Sequence, residues 1–475
     1  MDAVLRAAAV RPSPRQIAWQ ETEFYAFIHF NINAWTGREW GTGDEDPALF
    51  NPTGFDAEQW ASVIEAGGMR GLILTAKHHD GFCLWPSALT DHSVKSSPWR
   101  GGRGDVVRDV SEACRRHGLK FGIYVSPWDK HEASYGDSPR YNAYFTNQLR
   151  ELLTSYGEVF AVWFDGACGE GSNSKRQEYD WDAYYAVVRE LQPNAVISVC
   201  GPDTRWCGNE AGHCRPSEWS VVPASLRDNE KIAEKSQQQD DEAFRVRFNS
   251  TDNDLGSRAK IAEVDDLVWY PAEVNISIRP GWFYHAEEDD QVRGLDELLG
   301  IYFNAVGGNA TFLLNFPPDP RGLIHEHDAQ RARELGTLLR EIFERNLARD
   351  ASVSADPPGS GEHAAENILD GGTAAFWTPA DGQEQAVLTI NLPEPRTFNV
   401  AMLQEHIRSG QRIERFRLSA LIGDTWRVVG ESTVIGYKRL LRFAPVTAQR
   451  IRIEILESRI RPTLAAFGIF YHPKL

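Results

Sequence analysis

Short apolar runs that alternate with amphipathic segments constrain the fold of this chain more than any other feature. Eight runs are typical of strands because they are short and rich in β-branched and aromatic residues. They are residues 24–30, 71–77, 121–126, 159–164, 195–199, 219–222, 272–277 and 310–315. Strands that alternate with helices form a parallel sheet, and eight of them predict an α/β fold, a (β/α)8-like (TIM) barrel.

Helical periodicity fills several of the intervals between these runs. The clearest predicted helices are 56–66, 105–117 and 141–156, and each is followed by a glycine that ends it. Asp56 is the expected N-cap of the first. The long polar stretch 221–268 is interpreted as an insertion, or an irregular helix-and-loop region, above the barrel.

The pattern changes after a predicted helix at 330–347. A Pro/Gly/Ser-rich segment at 351–361 follows, and then come closely spaced β-rich runs with no helix between them. These runs are 386–391, 398–403, 416–421, 425–429, 439–443 and 450–455. Such spacing predicts an antiparallel sandwich or jelly roll. We therefore expect a (β/α)8-like barrel at 1–347 and an all-β domain, a jelly roll or sandwich, at 348–475.

Charge and composition limit the partners of the protein. The 475 residues carry a formal net charge of −17, which argues against binding nucleic acid or anionic membrane surfaces. The N-terminus lacks a signal-peptide pattern, and no apolar run is long enough to span a bilayer. We expect a cytoplasmic protein, or a periplasmic or secreted one if a leader has been removed. Six cysteines in so long a chain do not indicate a disulfide scaffold.

Polar residues follow the predicted strands where those strands end. Asp165 and Gly166 directly follow the run 159–164, and His29 lies near the end of the first run. A charged side chain is expensive to bury, so Asp165 indicates either chemistry or a cap of the following turn. Because a barrel brings the C-terminal ends of its strands together, these residues predict one shared site.

Two clusters have the residue types of metal ligands. His78, His79 and Asp80 are adjacent, but neighbouring side chains on an extended strand point in opposite directions. Their pattern favours hydrogen bonding to a polyhydroxylated ligand over metal binding. Cys207, His213 and Cys214 match no standard zinc spacing, so they are interpreted as ordinary thiols and a histidine. We expect no metal and no cofactor.

Asp165 needs a second carboxyl group if it acts as a nucleophile. Glycoside hydrolysis with retention uses two carboxyl groups about 5–5.5 Å apart. The candidates are Asp203, Glu210 and Glu218. Glu210 lies in a glycine-flanked loop beside an aromatic residue, a setting that can raise a carboxyl pKa. A solvated loop glutamate remains the alternative interpretation of the same residue.

Five motifs together resemble the family 29 glycoside hydrolases, the α-L-fucosidases. They are 27–31 (FIHFN), 39–40 (EW), 77–82 (KHHDGF), 121–126 (FGIYVS) and 162–166 (VWFDG). The resemblance covers about residues 15–345 and implies a retaining exo-enzyme that needs no metal. It also implies a fucosylated oligosaccharide or glycoconjugate as substrate.

The resemblance assigns roles residue by residue. It implies that Asp165 is the nucleophile and that His29, His78 and His79 bind fucose hydroxyls. It places Tyr124, Trp163, Trp40 and Glu39 at the same pocket. Trp282 resembles the aromatic residue that packs on the fucose methyl group, with Phe283 as the second choice.

Segments 208–212 (GNEAG) and 217–220 (SEWS) resemble the subfamily that cleaves α-1,3- and α-1,4-linked fucose from branched, Lewis-type glycans. There the acid/base is the Glu of the first segment, hence Glu210, and Glu218 is a candidate contact to a galactose branch. The alternatives are a broad-specificity fucosidase for α-1,2, α-1,6 or aryl linkages, a non-catalytic glycan-binding protein, and a metal-dependent hydrolase that uses the His pair.

The C-terminal region resembles the discoidin or F5/8 type C jelly roll. The resemblance rests on the pattern of 365–371, 376–377 and 467–470. It implies either sugar binding or support of the barrel, and we favour support.

Overall fold

The computed structural model describes residues 2–229 and 253–475. Ten strands belong to the first two thirds of the chain: β1 (Phe24–Ile28), β2 (Gly71–Lys77), β3 (Lys120–Val125), β4 (Ala161–Phe164), β5 (Val196–Val199), β6 (Arg205–Trp206), β7 (Val221–Pro223), β8 (Leu267–Trp269), β9 (Ala272–Ser277) and β10 (Ala310–Asn315). Eight form a parallel sheet in the order β5-β4-β3-β2-β1-β10-β9-β6. A parallel bridge between Ser198 and Thr204 brings β5 towards β6. The sheet is therefore a nearly closed barrel, and the predicted (β/α)8-like fold is confirmed.

The prediction of the sixth strand was wrong. The barrel uses Arg205–Trp206, a strand of only two residues that pairs in parallel with β9. The predicted run 219–222 lies elsewhere, because Val221–Pro223 pairs antiparallel with Leu267–Trp269 in a separate two-stranded sheet. A two-residue ladder is too short to leave a periodic pattern in the sequence. Because β6 is part of the barrel, the Glu210 loop directly follows a barrel strand.

Eleven helices belong to the described chain: α1 (Ala3–Ala9), α2 (Pro14–Gln20), α3 (Asn33–Thr36), α4 (Ala57–Ala66), α5 (Val106–Arg116), α6 (Ser138–Ser155), α7 (Trp181–Leu191), α8 (Leu226–Asn229), α9 (Arg258–Ala262), α10 (Leu295–Ala305) and α11 (Glu326–Phe343). None of them is long and apolar enough to cross a membrane.

Helix starts follow local capping chemistry. Asp56 caps α4, as predicted, by accepting a hydrogen bond from the Glu58 amide at 2.9 Å. Helix α6 begins three residues before the predicted Tyr141, because Pro139 suits a first helical turn. Helix α11 begins and ends four residues before the prediction 330–347. Part of the predicted insertion 221–268 lies outside the described residues.

The C-terminal region is an antiparallel β-domain, as predicted. Its strands are β11 (Ser352–Asp356), β12 (Ala386–Gln404), β13 (Ile413–Ile422), β14 (Thr425–Ser432), β15 (Arg439–Ser458) and β16 (Ala466–Phe470). Their order is β11-β12-β15-β13-β14, with β16 on β12. Two pairs of predicted runs are joined within β12 and β15, where register shifts interrupt the ladder. This domain has its own buried apolar core, separate from that of the barrel.

Asn309 links the barrel to the β-domain just before β10. Its side-chain oxygen accepts a hydrogen bond from the Tyr437 amide at 2.6 Å, and its amide group donates to the Glu218 carbonyl at 2.8 Å. Gln411 accepts from the Ser220 amide at 2.8 Å. The β-domain therefore contacts the segment that follows the Glu210 loop.

Candidate active site

One cavity opens at the C-terminal ends of the barrel strands. It is lined by Phe27, His29, Glu39, Trp40, His78, His79, Tyr124, Trp163, Asp165, Glu210, Asn275 and Trp282. Its empty volume, with the open solvent at its mouth included, is about 470 Å³. Ten of these twelve residues belong to the set predicted from sequence. The two additions are Phe27 and Asn275.

Asp165 directly follows β4 and accepts two hydrogen bonds through its side chain. Tyr124 donates its hydroxyl to Oδ2 at 2.9 Å, and the Ala167 amide donates to Oδ1 at 2.7 Å. Nε2 of His79 lies 3.9 Å from Oδ2. Burial raises the pKa of Asp165 above its ordinary value, while these hydrogen bonds oppose the increase. One carboxylate oxygen therefore caps the next turn, and the same side chain lines the cavity.

The histidines of the cavity are neutral at physiological pH. Burial lowers the pKa of His29 to about 4 and the pKa of His79 well below its ordinary value. Burial also lowers the pKa of His78 well below that value. A neutral imidazole offers one donor and one acceptor, which suits hydroxyl groups better than it suits an anion.

The tautomer of His29 follows from its partner. Nδ1 of His29 lies 2.8 Å from Oδ1 of Asn315. The Asn315 amide group donates to Ser277 Oγ and to the Trp282 carbonyl, both at 2.9 Å, so Oδ1 is the acceptor. His29 therefore carries its proton on Nδ1, and its Nε2 is an acceptor. His79 is held in turn by Ser126, whose Oγ lies 2.7 Å from Nδ1.

Trp282 contacts two glutamates, Glu210 through its indole and Glu39 through its backbone amide. The Trp282 indole donates to Oε2 of Glu210 at 3.0 Å. Glu39 accepts the backbone amides of Trp282 and Phe283 at 2.9 and 3.2 Å. It also lies 2.7 Å from Nε2 of His285, and this hydrogen bond raises the pKa of that histidine. Glu39 thus fixes the backbone of the Trp282 loop, and Trp282 contacts the predicted acid/base.

Trp282 lines the cavity, whereas its neighbour Phe283 is fully buried beside it. This placement agrees with the choice of Trp282 over Phe283 for contact with a ligand.

Glu218 is the predicted site residue that the structure does not bring to the cavity. It is fully buried and forms ion pairs with Arg205 and Arg215. Burial alone would raise the pKa of Glu218, but the two guanidinium groups hold it below its ordinary value. Its carboxylate is therefore already occupied inside the protein.

Asp203 also lies outside the cavity. It is nearly buried, pairs with Arg189 and accepts a hydrogen bond from the Ile197 amide at 2.8 Å. Of the three carboxyl groups proposed to assist Asp165, the cavity includes Glu210. Across 2–229 and 253–475, no group of three or more His, Cys, Asp or Glu side chains could hold a metal ion.

Asn275 was missed because it lies within a predicted strand rather than at its end. Its Oδ1 accepts the Trp206 indole at 2.9 Å, which links β9 to β6. A signal was present: residues 273, 275 and 277 are polar at alternate positions of a strand expected to be buried. Alternation of this kind places polar side chains on one face, here the barrel interior.

Comparisons with known proteins agree with this geometry. The family profile described as Alpha-L-fucosidase matches residues 15–342, and the F5/8 type C domain profile matches 350–466. A putative α-L-fucosidase 1 of Oryza sativa is 41% identical over 468 residues, covering 97% of this chain and 84% of that protein.

Solved structures extend the likeness to three dimensions. A putative α-L-fucosidase from Bacteroides ovatus has a TM-score of 0.85 at 46% identity, covering 99% of this chain and 76% of its own. A Ruminococcus gnavus GH29 fucosidase in complex with fucose has a TM-score of 0.84 at 30% identity, covering 98% of this chain and 96% of its own. The chain therefore belongs to the α-L-fucosidases of glycoside hydrolase family 29 and carries a C-terminal F5/8 type C domain.

Proposed function

We propose that the protein is a retaining exo-α-L-fucosidase in which Asp165 is the nucleophile and Glu210 the acid/base. The observation that carries this proposal is that both carboxyl groups line one cavity together with three neutral histidines. Asp165 and Glu210 come from different strand ends, so they can act from two sides of a bound sugar.

The reaction has two steps. In the first, an oxygen of Asp165 attacks the anomeric carbon, the glycosidic C–O bond breaks, and Glu210 gives its proton to the leaving oxygen. In the second, Glu210 takes a proton from water, whose oxygen attacks the same carbon and releases Asp165. Two inversions give net retention, and both carboxyl groups return to their starting protonation states.

Fucose recognition follows from the donors and acceptors of the cavity wall. His29, His78 and His79 supply neutral imidazole groups to the sugar hydroxyls, while Tyr124, Trp163 and Trp40 line the same pocket. Trp282 offers an apolar ring to the methyl group, and its indole N–H is already directed to Glu210. The fucose complex of the R. gnavus relative supports this choice of sugar.

For linkage, we propose terminal α-1,3- and α-1,4-linked fucose of branched, Lewis-type glycans. The resemblance of the segment around Glu210 supports this choice over α-1,2, α-1,6 or aryl fucosides. A galactose contact by Glu218 forms no part of the proposal, because that carboxylate is buried in ion pairs. We further propose that residues 1–347 form the catalytic unit and that residues 348–475 support it.

The test is incubation with a Lewis-type trisaccharide and, separately, with α-1,2-fucosyllactose, while fucose release is measured. We expect faster release from the trisaccharide, and NMR detection of the α-anomer as first product. Preference for fucosyllactose would contradict the linkage, and the β-anomer would contradict retention. Binding without release would indicate a glycan-binding protein, and loss of activity with a chelator would indicate a metal-dependent hydrolase.

A further inference from the structure

A glutamate lies inside the barrel, close to the cavity but outside its lining. Glu273 is on β9 and is fully buried. A buried carboxylate is costly unless hydrogen bonds or opposite charges compensate it. Burial raises its pKa to about 7, and the opposing contributions come from two hydrogen bonds, those of Trp163 and Tyr25. The reaction described above does not use this residue.

The two oxygens of Glu273 have different partners. The indole of Trp163 donates to Oε1 at 2.8 Å, and the hydroxyl of Tyr25 donates to Oε2. Tyr25 also lies 3.1 Å from Oγ1 of Thr311, and either atom of that pair can donate. The carboxylate therefore joins β9 to β4 and β1 across the barrel interior.

Trp163 connects this buried group to the proposed nucleophile. It lines the cavity and precedes Asp165 by two residues. Its ring centroid lies 5.3 Å from that of Tyr124, whose hydroxyl holds Asp165. A rotation of the indole would alter the cavity wall and also the packing of the residue that orients Asp165.

We propose that Glu273 is a positioning residue that fixes the indole of Trp163 beside Asp165. The inference rests on the function proposed above. An indole N–H can only donate a hydrogen bond, so when it is buried it needs an acceptor. Oε1 of Glu273 is that acceptor, and it reaches Trp163 across the barrel interior.

The surrounding groups allow this contact in either protonation state. When Glu273 is ionised, Tyr25 donates to Oε2. When it is protonated, Oε2 can donate to the Tyr25 oxygen while Tyr25 donates to Thr311. Oε1 accepts from Trp163 in both cases, so the position of the indole is independent of the charge on Glu273. The neutral side chain of glutamine can reproduce the second arrangement.

Two substitutions of similar size test the hydrogen-bond acceptor and the charge of Glu273 separately. Glu273→Met removes both acceptors, and we expect kcat/KM to fall about tenfold or more because a buried donor loses its partner. Glu273→Gln keeps an acceptor for Trp163, and we expect its kcat/KM to stay within about threefold of wild type. Fucose affinity, measured by calorimetry, should follow the same order.

The same substitution made in a Trp163→Phe variant distinguishes positioning of the indole from loss of stability. In Trp163→Phe the indole donor is absent, so adding Glu273→Met should reduce kcat/KM by less than about twofold further. If Glu273→Met fails to fold, Glu273→Asp replaces it: the shorter carboxylate cannot reach both partners, and it should be less active than Glu273→Gln.

Three results would overturn the proposal: normal kcat/KM in Glu273→Met, a full additional loss in the Trp163→Phe background, or Glu273→Gln as impaired as Glu273→Met or Glu273→Asp. Wild-type enzyme that binds fucose but fails on the Lewis-type substrate contradicts the proposed function instead. The calorimetric comparison of the variants tests Glu273 in that case also.

Discussion

The hydroxyl of Tyr124 donates a hydrogen bond to Oδ2 of Asp165 across 2.9 Å and thereby joins the ends of two neighbouring barrel strands. The contact favours the ionised form of Asp165, against the effect of burial, which raises its pKa. An attacking carboxylate must be ionised, so this hydrogen bond has a kinetic consequence.

Tyr124→Phe should raise the pKa of Asp165 further and should move the acidic limb of the kcat/KM profile to higher pH. Activity is lost as pH falls through that pKa, so the variant loses activity earlier on acidification. At neutral pH we expect a fall of about tenfold or more, the size expected for a hydrogen bond to a charged group. The measurement is the pH dependence of kcat/KM.

Tyr156→Phe is the matched control. Tyr156 also donates to a carboxylate, that of Asp105 at 3.1 Å, but both residues lie outside the cavity lining. Its profile should coincide with that of wild type. An unchanged acidic limb in Tyr124→Phe would show that this contact does not tune Asp165.

Azide rescue should distinguish the roles of Asp165 and Glu210. Asp165→Gly should have no measurable turnover of natural substrate, and added azide should give the fucosyl azide of inverted configuration. Glu210→Ala should form the intermediate slowly, and azide should then give the product of retained configuration. NMR of the product distinguishes the two. The same product from both variants would contradict the assignment of roles.

Glu218→Gln should damage stability rather than chemistry. It removes the buried negative charge that pairs with Arg205 and Arg215, and breaking a buried pair typically costs about 3–5 kcal/mol. Denaturant unfolding should show the loss, and azide should produce no fucosyl azide. Azide rescue of Glu218→Gln would instead make Glu218 the acid/base.

Stability should rise with pH between about 4 and 6.5 through His29. Its folded pKa is about 4, whereas an unfolded histidine titrates near 6.5, so the unfolded chain binds more protons in this window. His29→Gln should reduce the slope of the unfolding free energy against pH by up to about 1.4 kcal/mol per pH unit. Urea titrations at several pH values measure it.

His117 provides a control of opposite sign. Its hydrogen bond to Glu65 raises its pKa, so it stabilises the fold below the unfolded pKa and loses that effect as pH rises. His117→Gln should therefore make the slope more positive above about pH 6.5 and leave it nearly unchanged between about pH 4 and 6.5. Equal changes in the two variants would mean that neither histidine is the source.

The sequence predicts that polar residues at the strand ends share one site, because a barrel brings the C-terminal ends of its strands together whatever the loops between them do. The same rule accounts for the presence of His29, His79 and Asp165 in one cavity. Strand β6 could not be predicted, since its two residues are too few to show an alternation of apolar and polar side chains. The burial of Glu218 could not be predicted, because nothing in the sequence indicates that the side chains of Arg205 and Arg215 point into the protein and pair with it.

Asn309 offers a test of whether the β-domain supports the catalytic loop. Its backbone φ is 72°, and its side chain bridges Tyr437 and Glu218. Asn309→Gly keeps a residue suited to that φ and removes the side-chain hydrogen bonds to Tyr437, Glu218 and Ser220. We expect the unfolding free energy to fall by roughly 1–3 kcal/mol. We also expect a lower kcat per folded molecule, because the segment after the Glu210 loop loses one of its hydrogen-bonded contacts with the rest of the protein.

Asn399→Ala separates the two effects. Asn399 also bridges two backbone groups, the carbonyl and amide of His472, but it does so within the β-domain. Its loss should lower stability and leave kcat per folded molecule unchanged. Of these two asparagines, only Asn309 contacts the segment that follows the Glu210 loop. If both variants keep wild-type kcat, the β-domain therefore stabilises the chain without acting on that loop.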